Sequence, residues 1–466
     1  MSTVLMASPE VLRHRRLVIW TAISANLLGN IGLIGVNVAA PSIAKDLGLS
    51  ATQVGWLALS ALLTMAMFSA PTARLSDIIG RRQVTIYGLW LGIIGSAMGA
   101  LAWSPLSLLV SRAITGVGLV AFFTTVTTMA AAAYPPEQRG RVLGLTISTV
   151  YIGLALGPLL AGYLVEYLGW PSLFWFTVVG LTPSAVLAFM IKKDPPPSPE
   201  EKMDWPGALV WMAAVALIFT GLASLGLNLF LLAIAAGLAL LVAFIFRSLS
   251  SKNPIVDMSL FRDSRRFSFS SLAAYINYMS SFSVSFLLSL YLQYSKGLPP
   301  SKAGLLLISQ PVIQAAITPF AGRLSDRLDP GLLASIGLGV ILIAILVFAN
   351  NLSVTTSTPA LVFNMGLFGA GFALFSAPNS NAIMGAVPPK RLGQASGVIT
   401  VTRLWGQISS VALTTLVFTL VIGPGEITPD RYPRFITAAR TCFWIFTPLS
   451  LLGIVASLAR GEKKLP

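Results

Sequence analysis

Residues 73–80 read ARLSDIIG, and residues 322–329 read GRLSDRLD, the same polar loop 249 residues further along the chain. A second pair repeats the spacing: YPPEQRGRVLGLTIS at 134–148 and VPPKRLGQASGVITV at 387–401, 253 residues apart. Two loops recurring at nearly one offset mark two homologous halves. Each loop stands between long apolar runs, so the repeated unit is a bundle of helices. Six membrane-spanning helices per half would give an offset of roughly 200 residues. The surplus matches one uninterrupted apolar stretch, 205–246, set between the halves.

The composition agrees with that frame. Of 466 residues, 55% are hydrophobic and 10% charged, with a mean hydropathy of +0.81. A soluble protein carries about 25% charged residues, so this chain has too few polar groups to cover a water-facing surface. Disorder is excluded by the same numbers, and a β-barrel by the absence of short alternating strands. The candidate spans are 17–44, 47–73, 83–111, 113–136, 142–165, 167–191, 205–246, 267–295, 303–322, 330–389, 392–425 and 441–459. At about 20 residues per crossing, 205–246 holds two spans hinged near Gly226-Leu227-Asn228. The run 330–389 also holds two, hinged between Asn350 and Pro359. The total predicts fourteen helices and an all-α membrane protein. The expected organisation is an N-terminal six-helix bundle over 1–192, linker loops and an inserted transmembrane hairpin over 193–266, and a C-terminal six-helix bundle over 267–466.

Fourteen crossings put both termini on one side. With the termini and even-numbered connections in the cytoplasm, those segments hold 23 of the 31 Lys and Arg residues, against 6 in the external connections. That bias fits the positive-inside rule and accounts for most of the formal charge of +15 without nucleic acid. The basic side also suits contact with anionic lipid headgroups. Cys442 is the single cysteine and His14 the single histidine, which leaves no disulfide, His-rich metal site or redox centre to propose. No cofactor is expected. The first apolar run is too long for a secretory signal core, and no phosphate-binding Gly-rich loop with Lys points to direct ATP use.

Four segments carry a family likeness. ARLSDIIGRR at 73–82, LVSRAITGVG at 109–118, GLALGPLLAG at 153–162 and NPIVDMSLFRDSRRFS at 253–268 occur in this order. In them the chain resembles the major facilitator superfamily, and specifically its fourteen-span drug:proton antiporter branch. The likeness implies that fold, multidrug efflux by alternating access, an inner-membrane location and a monomer. It makes Asp77 a cap on a helix of the other half starting near Gly393, paired with Arg81, with Gly80, Arg82 and Glu137 in the same gate. Asp326 is the repeat partner of Asp77. Three departures stand out. Ala73 replaces the opening Gly of the loop, Thr115 replaces the Gln of the fourth-helix motif, and Gly32 stands where the branch carries an Asp in its first helix.

Other residues are singled out by chemistry. Gly153, Gly157, Pro158 and Gly162 allow close helix approach and a kink in the fifth span. Arg112 and Arg403 are ionisable groups inside spans, where charge is costly and usually functional. Gln407 lies one turn beyond Arg403 on the same face. Asn26, Asn30 and Asn37 fall on one narrow stripe of the first span. Gln310 with Gln314, Asn277 with Ser281 and Ser285, and Asn364 with Phe368 and Phe375 form similar faces, and Tyr151 joins the expected cavity.

All 16 acidic residues are expected near the membrane faces, leaving none at mid-membrane. A cation exporter commonly uses a buried carboxylate that a proton or its cargo neutralises. A neutral, zwitterionic or anionic amphiphile therefore fits better, with protons as coupling ions acting through peripheral acids such as Asp77, Asp46 or Glu166. A lipid flippase or uncoupled facilitator is the second reading, a non-transporting membrane sensor the third. An enzyme is not expected.

Overall fold

The computed structural model describes residues 9–192, 202–223, 227–251, 254–388, 391–423 and 425–461. All regular structure among them is helical. The first six helices are α1 (Pro9–Leu47), α2 (Ala51–Ile79), α3 (Arg81–Ala100), α4 (Pro105–Ala132), α5 (Pro136–Leu168) and α6 (Pro171–Met190). A hairpin follows, α7 (Trp205–Ala223) and α8 (Leu227–Ser250), then a short α9 (Ser259–Asp263). The remainder comprises α10 (Arg265–Ser281), α11 (Ser283–Leu290), α12 (Pro300–Leu307), α13 (Ser309–Arg327), α14 (Pro330–Asn351), α15 (Thr358–Met384), α16 (Leu392–Val421) and α17 (Tyr432–Leu458).

Thirteen stretches among the described residues are long and apolar enough to cross a bilayer. The fourteenth expected run, 267–295, is present in pieces as α10, α11 and a π turn over Tyr291–Ser295. Phe282 keeps helical dihedrals between the first two pieces, φ −66° and ψ −40°, so the chain stays on one path. Composition explains the breaks. Hydroxyls of Ser280 and Ser281 donate back to the Asn277 carbonyl, an arrangement that loosens and bends helices. The hinge proposed at Gly226 lies outside the described residues.

Helix ends follow local chemistry. Ser50 opens α2 with a reciprocal cap, its side chain accepting from the Gln53 N–H. Ser104 does the same for α4, with Pro105 at the first helical position, where the missing N–H costs nothing. Gly80 joins α2 to α3 at φ +100°, a conformation that disfavours any side chain. α1 begins eight residues before its apolar run. Glu10 sits in its first turn, favourable at a helix N-terminus, and pairs with Lys192 at 2.9 Å. Arg15 Nε donates to the Ala133 carbonyl at 3.1 Å.

The bundle has two ends, named here for the residues they carry. Asp46, in the last turn of α1, accepts from the Trp170 indole at 2.8 Å and marks one end. Asp77, in the last turn of α2, marks the other. Among the first six helices, α1 packs on α5 and α6, and α4 on α2 and α3; among the last, α14 packs on α15 and α17, and α10 on α16 and α17. The groups meet where α2 crosses α16 and α5 crosses α12. α7 rests on both α2 and α16, with Trp211 5.2 Å and Phe219 5.7 Å from the Trp405 ring. α8 packs along α7 and exposes Leu231, Leu232 and Phe246.

Candidate substrate pathway and seam

Small residues draw the helix groups together at the Asp46 end. A Cβ on Gly162 of α5 would lie 2.5 Å from the Pro300 carbonyl of α12, and one on Gly304 of α12 would lie closer still to the Pro158 carbonyl of α5. Gly55 of α2 makes room for the Thr415 side chain of α16. Backbone approach of this kind brings polar groups within bonding range. Ala51 N–H donates to the Gly425 carbonyl at 2.8 Å, and the Thr52 and Thr419 hydroxyls are 2.8 Å apart. Ser289 donates to the Asn37 carbonyl at 2.9 Å and Gln293 to the Val38 carbonyl at 3.0 Å. Both donors stand in or beside the π turn, whose extra residue per turn re-aims its side chains across the seam. Glu166 of α5 accepts from the Ser301 N–H of α12 at 3.0 Å.

The Asp77 end is built differently. Gly144 of α5, Gly322 of α13 and Gly397 of α16 have nothing within 4 Å of an added Cβ. Three ion pairs toward this end lie within a group: Glu10 with Lys192, Asp263 with Arg391 at 3.2 Å and Asp329 with Arg266 at 3.8 Å. Arg460, at the foot of α17, donates to Ser270 of α10 and Asn379 of α15 and ties those helices together.

Between the ends, beneath the sealed seam, lies a small cavity with room for about one water. Asn37 and Arg112 supply its polar lining; Leu62, Phe282, Phe286 and Val411 contribute to its apolar wall. Arg112 is 2% exposed and its Nε has no partner. Its charge therefore sits in an apolar wall without the carboxylate that a buried cation normally requires. Arg403 lies further along α16 toward the Asp77 end, where Tyr278 of α10 feels both its charge and the hydroxyl of Tyr151 of α5. Close packing of Gly406 against Tyr278, 2.5 Å for an added Cβ, sets that tyrosine beside the arginine. Arg403 and Tyr278 are half-buried.

The structure thus brings Asn37, Arg112, Tyr151 and Arg403 to the middle of the molecule. The other expected cavity residues are placed as follows. Asn26 and Asn30 are buried, with the Asn30 amide donating to the Asn26 carbonyl at 2.7 Å and its Cβ against Gly153 of α5. The Asn364 amide donates to the Ala344 carbonyl of α14 at 3.0 Å and ties two neighbouring helices. Phe368 is buried at 1% exposure, Gln314 is buried, and Gln310 accepts from Ser285 at 2.9 Å. Asn277 is fully buried, its amide nitrogen and oxygen both without partners. Ser281 is buried, and Gln407 half-buried one turn from Arg403.

For the expected gate, Asp77 is exposed. Arg81 makes no ion pair among the described residues, and Arg82 donates to the Phe189 carbonyl of α6 at 2.8 Å. The side chains of Glu137 and Asp326, and the expected cap at Gly393, lie outside the described residues. Gly153 meets α1 and Gly157 stands at ordinary contact distance from Ile31. Gly32, the position matching the missing acid, faces Thr177 of α6 at 2.5 Å for an added Cβ. Sequence reasoning missed Tyr278, Phe282, Phe286, Gly55 and Gly304. Phe282 and Phe286 are four apart, a face that reads equally well as lipid-facing.

A bundle of membrane-length helices, its two groups clamped through glycines at one end around a buried polar interior, is the architecture of a membrane transporter that moves its cargo by alternating access. Residues 22–253 and 270–465 match the family model described as Major Facilitator Superfamily, and the chain belongs to that superfamily. The riboflavin transporter RibZ of Clostridioides difficile is 25% identical over 91% of this chain and 92% of its own length. The multidrug resistance protein Stp of Mycobacterium tuberculosis is 29% identical over 86% of this chain and 77% of its own. Among solved structures, a bacterial homologue of the human lysosomal transporter Spinster superposes with a TM-score of 0.70 over 97% of this chain and 98% of that one, at 16% identity.

Proposed function

We propose that this transporter exports amphipathic organic molecules, taken up from the cytoplasm through the Asp77 end and released at the Asp46 end, with protons moving in the opposite direction. The observation that carries the reading is the seam at the Asp46 end, where Gly162 and Gly304 press on carbonyls of the opposing helix, whereas Gly144, Gly322 and Gly397 toward the Asp77 end face open space. The bias of 23 basic residues to 6 supports placing the Asp77 end and both termini in the inner leaflet and cytoplasm. Two six-helix bundles, 1–192 and 267–466, rock about a central site as a monomer, and the hairpin within 193–266 bridges them through α7. In the opposite state Asp77, Gly80, Arg81, Arg82 and Glu137 close the cytoplasmic side, with Asp326 in the second repeat. Gly153, Gly157 and Pro158 let α5 pivot on α1 and α12.

The fourteen-span drug:proton antiporter branch is the subfamily this reading favours, in keeping with the named role of Stp. The lack of a carboxylate in the Arg112 cavity favours a second reading, a lipid flippase or uncoupled facilitator for neutral or anionic amphiphiles. Reconstituted vesicles discriminate. A panel of ethidium, riboflavin and pyrenebutyrate is expected to include a compound that moves uphill only while a pH gradient is held. Flux indifferent to the gradient establishes the facilitator, and no flux for any compound reopens the sensor reading.

A further inference from the structure

Two arginines stand in the interior without counter-charges. The acids whose partners are described are engaged at the ends: Asp46 with Trp170, Glu166 with Ser301, Asp204 with Arg247 and Asp329 with Arg266. Arg112 has no acidic neighbour in its cavity, and its Nε is buried and unbonded. A guanidinium has five N–H donors and no acceptor. Enclosed by Phe282, Phe286 and Leu62, it lacks an oxygen anion to complete it. Arg403 has no ion pair either among the described residues; the Tyr278 hydroxyl lies within reach of its charge, and Tyr151 lies near Tyr278.

The two sites are stacked along the transport axis. Val411 lines the Arg112 cavity. It lies eight residues beyond Arg403 on α16, about 12 Å along the helix. Arg403 stands toward the end where Gly397, six residues earlier on the same helix, meets open space. Arg112 stands beneath the sealed end, in a cavity collapsed to about the size of one water. The accessible arginine carries the hydroxyls, and the closed one carries the aromatic wall.

We propose that Arg403 and Arg112 are successive stations for one anionic headgroup, a carboxylate or sulfonate borne by an apolar or aromatic body. The headgroup is caught by Arg403 with Tyr278 and Tyr151 when the Asp77 end is open. It passes to Arg112 as the Asp46 seam parts and the collapsed cavity widens. The apolar body follows along Phe282 and Phe286. Bidentate pairing of a planar guanidinium with an oxyanion gives the selectivity, and the second station prevents the first from holding its cargo too tightly to release. This inference rests on the exporter reading and narrows its substrate class.

The test uses the full-length protein in nanodiscs and a matched set of probes: radiolabelled pyrenebutyrate, pyrenebutanol and pyrenebutyltrimethylammonium, with binding to empty nanodiscs subtracted. Pyrenebutyrate is expected to bind about tenfold or more tighter than the alcohol, and the cation not to bind. Arg403→Gln is expected to erase that preference. Arg112→Gln is expected to leave it within about twofold while abolishing pyrenebutyrate flux in vesicles, and Arg112→Lys to restore part of the flux. Thermal unfolding midpoints confirm that each variant is folded. Equal binding of all three probes, or an anion preference that survives Arg403→Gln, overturns the proposal. So does equal loss of binding in both variants, which means one site in place of two. Selective anion binding without flux of any probe in the wild type upholds the sites and instead refutes export.

Discussion

The two ends of the molecule hold their helices by opposite means. At the Asp46 end the contacts between groups run through glycines and main-chain carbonyls, with Gly162 on Pro300, Gly304 on Pro158 and Ser289 on Asn37. Toward the Asp77 end, ion pairs such as Glu10 with Lys192 and Asp263 with Arg391 tie helices within a group. Backbone contact through glycine has a sharp distance dependence and holds or fails as a unit. Exposed charge pairs contribute little and tolerate movement. A transporter needs one end that shuts water out and another that yields, and this difference divides the two tasks between chemistries.

The comparison breaks most severely if the glycine clamp is overfilled. Gly162→Leu or Gly304→Leu drives a side chain into a carbonyl of the opposing helix and is expected to cut flux by roughly tenfold or more. Spin labels placed across the Asp46 end are expected to show a longer distance. Gly144→Leu and Gly397→Leu, in open space, are expected to change flux by about twofold or less. Equal losses at both ends would mean that the seam is not one-sided.

A second variant pair probes the interior between the ends. Gly32→Asp restores an acid where the family likeness expects one, but here that position is packed on Thr177 of α6. The result is an unpaired buried carboxylate, with an expected loss of about 3 kcal/mol of stability or more and a lower unfolding midpoint. Asn37→Asp places the acid in the Arg112 cavity, where it gains a partner. It is expected to keep the protein folded and to weaken uptake of anionic cargo by occupying Arg112. If both substitutions prove equally destabilising, the cavity is not the polar interior assigned to it.

Much of this was legible in the residues, and the failures have a physical pattern. Charge-free runs located the crossings because hydrocarbon tolerates little else. The polar stretch Asn350 to Pro359 parted α14 from α15 where expected. A periodicity of 100° finds which residues share a face and is blind to what the face meets. Asn364 thus looked like cavity lining and instead bonds to Ala344. The asparagine stripe of α1 divides along its length, with Asn30 against α5 and Asn37 on the cavity. Arg112 and Arg403 stood out because charge in a span is conspicuous. Gly55 and Gly304 were invisible because an isolated glycine announces nothing until its neighbour is known.

A smaller effect is expected at the Glu166 contact, the one exposed charge among the backbone contacts of the Asp46 seam. Glu166→Gln keeps an acceptor for the Ser301 N–H and removes only the charge. Faster hydrogen exchange at Ser301 and a change in flux of about threefold or less are expected. A loss as large as that of Gly162→Leu would transfer the clamp from glycine packing to electrostatics and weaken the contrast between the ends.

The smallest effect belongs to the foot of the hairpin at the Asp77 end, where Asp204 meets Arg247 at 2.6 Å and accepts from the Gly207 N–H at 3.1 Å. Burial raises the Asp204 carboxyl, but the hydrogen bonds from Arg247 and Gly207 and the Arg247 charge outweigh it, leaving its pKa below the ordinary aspartate range. A carboxyl depressed in the folded state stabilises fully above its unfolded value, about pH 4, and that contribution fades as pH falls through the folded value. Asp204→Asn is therefore expected to speed amide exchange at the start of α7 at neutral pH. Its flux should stay within about twofold of wild type, because α7 is still held by Trp211 and Phe219 on Trp405. At a pH low enough to protonate Asp204, wild type and variant should exchange alike. A large flux defect at neutral pH would make this surface pair part of the gate and extend the working seam from the six-helix groups to the hairpin.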